Sequence, residues 1–178
     1  MTRGLEVMSA DIGPATVDAF RRSVAEFPSG VTIVTTVDAQ TSRWTGYTAS
    51  AFSTVSLEPP MVLVCLDRRA ECFGVFGRSE RFAVNVLAQD HGELALRFAR
   101  KSQEKFVDTP FELSPWGNPV LPDAAAVLDC QLRERIDGGD HVILIGCALR
   151  CRASDKEPLV YHRGGLYSLD STRLAETA

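Results

Sequence analysis

Three groups of polar residues interrupt the apolar segments of this chain, and their side chains are the ones best suited to chemistry. The first group, Thr45–Ser56, carries hydroxyls at Thr48, Ser50, Ser53, Thr54 and Ser56. Hydroxyls and backbone N–H groups on an extended segment can line a phosphate or the edge of a heterocycle. Composition alone favours a Thr/Ser-rich strand that faces water, so the sequence leaves both interpretations open.

The second group is cationic and comprises Arg97, Arg100, Lys101 and Lys105. Helical spacing gathers the first three of these residues at the end of a predicted helix. Cations at a helix C-terminus complement the helix macrodipole, which is a sufficient structural explanation. The same cluster could equally bind an anion, because charge-assisted hydrogen bonds contribute about 1.5–3 kcal/mol each.

The third group is Gly138–His141, a glycine turn followed directly by a histidine. A histidine at this point begins a strand and can point across the mouth of a barrel. Its neutral ring can donate or accept a hydrogen bond to an amide. The alternative is a histidine at the end of a turn that contacts only water.

Other catalytic signatures are missing from the sequence. It contains no GxGxxG after a strand, no GxxxxGK[ST], no GxSxG and no HExxH. Its five cysteines and three histidines form no paired ligand clusters, so we predict no metal site. Cys65 stands in an apolar strand, where packing explains it better than redox chemistry.

Composition limits the class of protein. A chain of 178 residues, with 45% hydrophobic and 24% charged residues, suits one globular domain. The net charge of −4 argues against binding to nucleic acid or to an anionic membrane surface. The longest apolar run, Val142–Leu149, is too short to span a bilayer. We predict a cytoplasmic protein with a flexible leader at 1–15, one domain at 16–170 and a tail at 171–178.

The elements that must position these polar groups are mostly strands. Periodicity predicts helices at 17–27, 68–79 and 91–100, the last opened by a capping box of Asp90 and Glu93. β-branched, apolar or alternating runs predict strands at 31–37, 61–66, 82–87, 128–136, 142–150, 159–161 and 166–169, with an extended 46–55 and an irregular 107–125. Because strands follow strands, we predict a mainly β protein: an antiparallel barrel with a few peripheral helices.

Several segments, taken in order, resemble one known family. They are Phe27–Thr32, Thr48–Pro60, Phe82–Leu87, Phe98–Lys101, Lys105–Phe106, Gly139–His141 and Tyr161–Tyr167. Over about residues 17–169 the chain resembles the flavin reductase family, whose fold is the FMN-binding split barrel. It is most similar to reductase components of two-component flavin-dependent monooxygenases, including those of aromatic polyketide antibiotic pathways.

This resemblance implies an NAD(P)H:flavin oxidoreductase that works as a homodimer. Hydride passes from NADH to FMN or FAD, and the reduced flavin leaves for a partner monooxygenase. NADPH is less expected because the sequence shows no site for a 2′-phosphate. The alternatives are a non-catalytic barrel that stores or senses flavin, and a barrel for another small hydrophobic ligand.

The resemblance also implies roles for particular residues. It places the nicotinamide against His141 and the flavin against Thr32, Thr48, Ala49, Ser50, Ser56, Asp67, Ala83, Asn85, Arg100 and Lys101. No side chain is assigned a catalytic role, because the cofactors supply the reactivity. The chain departs from the family at Ala51, often a serine, and at Ala70 or Cys72, where a small hydroxyl residue is frequent. These departures leave the choice between FMN and FAD open.

Overall fold

A computed structural model of the chain describes residues 15–102 and 104–169. The predicted tail at 171–178 and all but the last residue of the predicted leader lie outside this part. The helices are α1 (Val17–Val24), α2 (Phe73–Arg78) and α3 (Gly92–Ala99), with a 3-10 turn at Gln89–His91. The strands are β1 (Ser29–Gly30), β2 (Thr32–Val37), β3 (Trp44–Ala49), β4 (Phe52–Leu57), β5 (Pro60–Asp67), β6 (Arg81–Val86), β7 (Glu112–Leu113), β8 (Pro119–Val120), β9 (Ala126–Gly138), β10 (His141–Ala153), β11 (Leu159–His162) and β12 (Gly165–Ser168).

The main sheet has seven antiparallel strands in the order β3-β2-β6-β9-β10-β5-β4. Its outer strands, β3 and β4, are joined only by Ser50 and Ala51. In a flat sheet these strands would lie about 29 Å apart, whereas the link can span only about 10 Å. The sheet must therefore curve until its edges meet. In the described part of the chain, no ladder joins β3 to β4.

A three-stranded antiparallel sheet (β1-β11-β12) and the β7–β8 pair complete the β structure. The prediction of a mainly β, antiparallel protein with few helices is confirmed. No described helix has the length and apolar content needed to cross a membrane.

Apolar cores lie on both faces of the curved sheet. Along β2, side chains alternate between them: Val34 packs in the inner core and Ile33 in the outer one, and both are fully buried. The inner core includes Phe76 and Phe82, and the outer core includes Phe98. Burial on both faces explains why β2 reads as a continuous β-branched run.

Gly46 lets α3 pack closely on β3. A Cβ atom at this position would lie 2.8 Å from the Val34 carbonyl oxygen and 3.2 Å from a ring carbon of Phe98. The contact is reinforced by Thr48, whose hydroxyl donates to the Ala95 carbonyl oxygen at 2.6 Å. The C-terminal end of α3 is thereby held beside the β3–β4 junction.

Several predicted elements differ in extent from the observed ones. The first helix ends at Val24, the second begins only at Phe73, and the extended segment 46–55 is two strands. The predicted strands 128–136 and 142–150 are each part of a 13-residue strand. The segment 107–125 is largely irregular, as predicted.

The predicted capping box at the start of α3 does not form. A 3-10 turn precedes the helix, and the Nδ1 atom of His91 accepts the backbone N–H of Ala88 at 3.1 Å. The helix N-cap is His91, which makes no side-chain capping bond. A histidine ring thus binds a backbone N–H ahead of the helix, in place of the reciprocal bonds between Asp90 and Glu93 that the sequence pattern predicted.

Candidate functional site

A cavity of about 520 Å³ opens where the two edges of the main sheet meet. Its walls are the β3–β4 junction, the end of β5 with the turn that follows, the C-terminal end of α3, and the first residue of β10. The lining residues are Tyr47–Ala51, Cys65–Asp67, Arg69–Cys72, Phe98–Lys101, Lys105 and His141. Of the residues implied by the resemblance, the cavity brings together Thr48, Ala49, Ser50, Asp67, Arg100, Lys101 and His141.

Four other residues from that set do not line the cavity. Thr32 is buried, and its hydroxyl donates to the Ala49 carbonyl oxygen at 2.9 Å. Ala83 is fully buried in the outer core. Ser56 is carried away along β4, because an extended chain advances about 3.3 Å per residue.

Asn85 is the fourth, and its buried amide has a structural role. Its Nδ2 donates to the Ile33 carbonyl oxygen at 3.0 Å, and its Oδ1 accepts the Leu121 N–H at 2.8 Å. The adjoining Thr35 hydroxyl donates to the Pro119 carbonyl oxygen. These bonds anchor the irregular segment around 118–121 to the outer face of the sheet, so the carboxamide has no access to the cavity.

The Thr48 hydroxyl faces the cavity with its proton already committed to Ala95. It can therefore present only lone pairs to a ligand. The neighbouring Ala49, Ser50 and Ala51 expose backbone and small side chains at the point where β3 passes into β4. This wall is narrow and uncharged, which suits the edge or face of a planar ring.

Another part of the rim is mainly cationic. Asp67 is committed to Arg69, whose Nε and terminal nitrogen donate to its two oxygens at 3.1 and 2.8 Å. These bonds to Arg69 hold the pKa of Asp67 far below its ordinary value. Arg100 and Lys101 are exposed just after the last turn of α3. The structure thus permits both interpretations of this cluster, since the cations follow the helix end and also line the cavity.

His141 enters the cavity from β10, where it stands opposite Asp67 in the β5 register. Its Nδ1 lies 2.7 Å from Oδ1 of Asp140, and this bond lowers the pKa of Asp140. A carboxylate can only accept, so Nδ1 carries the proton. In the neutral ring, the Nε2 atom is then left to accept a hydrogen bond from a ligand.

Sequence reasoning missed Arg68, which secures the turn that presents His141. The Arg68 backbone N–H donates to the Asp140 carbonyl oxygen at 3.1 Å, and Nε donates to the Gly139 carbonyl oxygen at 3.2 Å. The guanidinium also pairs with Asp137. No local sequence signal could have indicated this arginine, because its partners are about 70 residues away.

Two cavity residues are thiols, and burial raises the pKa of both. The pKa of Cys72 rises to about 11. Both side chains are therefore uncharged near neutral pH and add apolar surface to the wall. Beside them, the buried Tyr47 hydroxyl finds no hydrogen-bond partner among the described residues.

Lys105, the fourth member of the cationic group, is not at the helix end. It lies beyond α3, half-buried, and its ammonium donates to the carbonyl oxygens of Gly46 at 3.2 Å and Phe98 at 3.0 Å. Burial lowers its pKa. Within residues 15–102 and 104–169, no cluster of three or more His, Cys, Asp or Glu side chains could hold a metal ion.

Comparison with known proteins gives consistent relationships over most of the chain. Actinorhodin polyketide dimerase of Streptomyces coelicolor is 44% identical over 155 residues, covering 86% of this chain and 84% of that protein. HsaB of Rhodococcus jostii, the reductase subunit of a flavin-dependent monooxygenase, is 35% identical over 146 residues, covering 82% and 74%.

Solved structures give the same relationship. The Streptomyces globisporus C-1027 NADH:FAD oxidoreductase SgcE6, in complex with NAD and FAD fragments, has a TM-score of 0.84 and 29% identity, covering 92% of this chain and 99% of that one. The flavin reductase PheA2 has a TM-score of 0.80 and 33% identity, covering 88% and 100%.

The family described as "Flavin reductase like domain" matches residues 24–170, which include every wall of the cavity. Family, relatives and solved structures agree with one another and with the order of segments seen in the sequence. The chain belongs to the flavin reductase-like family.

Proposed function

We propose that this protein is an NAD(P)H-dependent flavin reductase that supplies reduced flavin to a partner monooxygenase. The observation that carries the proposal is the cavity itself. It has a narrow uncharged wall at Thr48–Ala51, cations at Arg100 and Lys101, and the free Nε2 of His141 on another side. Membership of the family and the reductase subunits among its relatives support the same activity.

The residues present fit a flavin and a nicotinamide. A volume of about 520 Å³ lies in the range of sites for small ligands. The neutral thiols of Cys65 and Cys72 give the wall an apolar surface on which a ring can lie. Reduced nicotinamide supplies the chemistry, since it gives a hydride to flavin N5 when both rings are bound.

The protein's own groups bind and orient the two rings. The backbone of Ala49–Ala51 and the Thr48 lone pairs line one ring edge, and Arg100 and Lys101 hold the flavin phosphate by charge-assisted hydrogen bonds. The Nε2 of His141 accepts an N–H of the nicotinamide carboxamide. Holding the rings in contact turns an encounter in solution into an oriented transfer, which is the main catalytic contribution open to this site.

Several finer features belong to the proposal. The curved sheet is a split barrel whose domain comprises residues 16–170. NADH is preferred to NADPH, and the similarity to a polyketide dimerase favours a partner in polyketide biosynthesis. The protein is a homodimer, because the apolar stripe of α1 (Val17, Phe20 and Val24) is 50–65% exposed in the single chain. A second copy would cover that stripe.

The direct test is oxidation of NADH, then NADPH, by purified protein with FMN or FAD. We expect flavin-dependent oxidation well above the protein-free rate, faster with NADH. A protein that binds flavin reducible by dithionite, yet oxidises neither nicotinamide above background, would be a storage or sensing protein and would overturn the proposal.

A further inference from the structure

A second cavity of about 190 Å³ adjoins the first. The two share Glu71, Cys72 and Lys105 as a common wall, and the second extends towards the β2–β3 hairpin and the segment after α3. Resting on the proposed function, we propose that this second cavity binds the adenosine diphosphate half of a dinucleotide whose reactive ring lies in the first cavity.

Lys105 stands at the boundary between the cavities. Two of its N–H groups are fixed by the carbonyl oxygens of Gly46 and Phe98. An ammonium has three donors, so a third N–H is left for a ligand. A half-buried, immobilised cation at a junction is suited to the diphosphate that links the halves of a dinucleotide.

Aromatic side chains in the second cavity provide a surface for a purine. Trp44 and Phe106 both line it, with ring centroids 5.6 Å apart and planes at 83°. Phe106 in turn packs edge-on against the buried Phe98 at 4.9 Å. The indole is therefore held in place by the outer core, and stacking on aromatic rings is a general mode of base recognition.

Two carboxylates and a second cation, Arg43, also line this cavity. One oxygen of Glu71 accepts the Ser102 N–H at 3.1 Å, which leaves the other to accept a ribose hydroxyl. Asp38 is engaged by Arg78, at 2.7 Å, and by Thr41. A carboxylate oxygen accepts hydrogen bonds from ribose hydroxyls, so the second oxygen of Glu71 suits the ribose of an adenosine.

FAD and NADH both carry this adenosine diphosphate half, and the experiment separates them. The chain has two tryptophans, Trp44 in the cavity and Trp116 outside both cavities. Titration of ADP against the Trp116→Phe variant monitors Trp44 alone. We expect ADP to quench the Trp44 fluorescence of the Trp116→Phe variant saturably. We expect no quenching in Trp44→Phe, whose emission comes from Trp116.

Trp44→Ala identifies the source of the adenosine. If the occupant is FAD, its Kd rises about tenfold while that of FMN stays unchanged. If the occupant is NADH, its KM rises about tenfold while that of reduced nicotinamide mononucleotide does not. Trp44→Phe, which keeps a ring at this position, restores most of the affinity and separates stacking from misfolding.

The inference fails if ADP produces no quenching of Trp44 and Trp44→Ala changes each dinucleotide no more than its mononucleotide. Such a result leaves the proposed function intact, because flavin reduction by NADH is measured independently with FMN. Loss of that reduction in the unmodified protein would instead overturn the proposed function.

Discussion

At the scale of single residues, His141 is the side chain that we propose contacts nicotinamide. Its Nδ1–H is held by Asp140, and the residue lines the cavity. We expect His141→Ala to raise the KM for NADH about three- to tenfold, the value of one hydrogen bond, with flavin affinity nearly unchanged. Steady-state kinetics and a flavin titration measure the two effects.

His162→Ala is the matched control, since His162 lies on β11 outside the cavity. This substitution should leave the KM for NADH and the affinity for flavin unchanged. An unchanged KM for NADH in His141→Ala would remove the histidine from the nicotinamide site.

The five cysteines should differ sharply in reactivity towards alkylating reagents. The thiolate is the nucleophile, so a raised pKa slows the reaction at neutral pH. Burial raises the pKa of Cys72 to about 11 and that of Cys130 to about 12, whereas Cys151 is exposed. We expect iodoacetamide at pH 7.5 to modify Cys151 first, as peptide mass spectrometry would show.

The direction in which alkylation changes with pH follows from the same raised pKa values. Modification of the folded protein at Cys72 should accelerate as pH rises towards 11, because the thiolate fraction grows. Rapid alkylation of Cys72 at neutral pH would contradict its burial in the cavity wall.

At this scale the sequence predicted the cavity only in part. Thr48, Ser50 and His141 line the cavity, because their strands are strongly patterned. Asn85 and Thr32 do not, since their polar groups are used inside the fold. Lys105 and Arg68 act through carbonyl oxygens and a turn brought near by tertiary folding, which no local pattern reveals.

At the scale of elements, the contact between α3 and β3 depends on Gly46. We expect Gly46→Ala to lower the free energy of unfolding by about 1–3 kcal/mol, because the new methyl group would lie against a carbonyl oxygen and the Phe98 ring. Thermal or urea denaturation measures the change.

Gly77→Ala in α2 is the control, since a Cβ at that position meets no atom within 4 Å. It should be neutral or slightly stabilising, as alanine favours helix. Equal stability of the two variants would show that α3 does not need the close approach.

The turn between β9 and β10 is a second element with a measurable role. Arg68→Ala removes the side-chain bonds to Gly139 and Asp137 and should lower kcat/KM for NADH several-fold, less than His141→Ala. Asp137→Asn should give a smaller loss in the same direction. Because both substitutions weaken one contact, the double variant should lose less than the sum of the two.

Additive losses in this double-mutant cycle would mean that the pair does not hold the turn. Flavin affinity serves as the internal control and should stay constant in all three variants.

Strands were predicted more accurately than helices for a physical reason. Burial on one or both faces of a strand determines which of its residues are apolar, so the β-branched and alternating runs in the sequence show the strand directly. The helices are short and lie at the periphery, and their ends depend on tertiary contacts. The His91 ring near the start of α3 makes such a contact, with its Nε2 atom 3.2 Å from Oδ2 of Asp123.

At the scale of the whole molecule, α1 presents an apolar stripe that no other described residue of its chain covers. Phe20 is 61% exposed, and no residue of the helix is buried. We expect the protein to sediment as a dimer and Phe20→Asp to shift it to monomer, because a charge would be buried at the interface.

Arg22→Asp is the matched control and should leave the dimer in place, since Arg22 lies on the face of the same helix opposite the stripe. A monomer at micromolar concentration in the unmodified protein would contradict the assignment of α1 to an interface.

The barrel-like curvature was expected from strands that follow strands, but the strand order was not. The sequence cannot show that β6 lies between β2 and β9. The pairing of β2 with β6 joins segments about 50 residues apart. The curvature itself follows from the two-residue link between the outer strands.

That link also limits how the molecule can vary. A surface connection normally tolerates insertions at little entropic cost, because closure entropy grows slowly with length. Here Ser50 and Ala51 join the two outer strands of the sheet, and they also form a wall of the cavity. Lengthening this segment would widen the cavity, and it would also let the two edge strands of the sheet move apart. Adaptation to larger or smaller ligands must therefore occur in other lining residues, at 69–72 and at Arg100, Lys101 and Lys105, which can change in size while the two-residue link is kept.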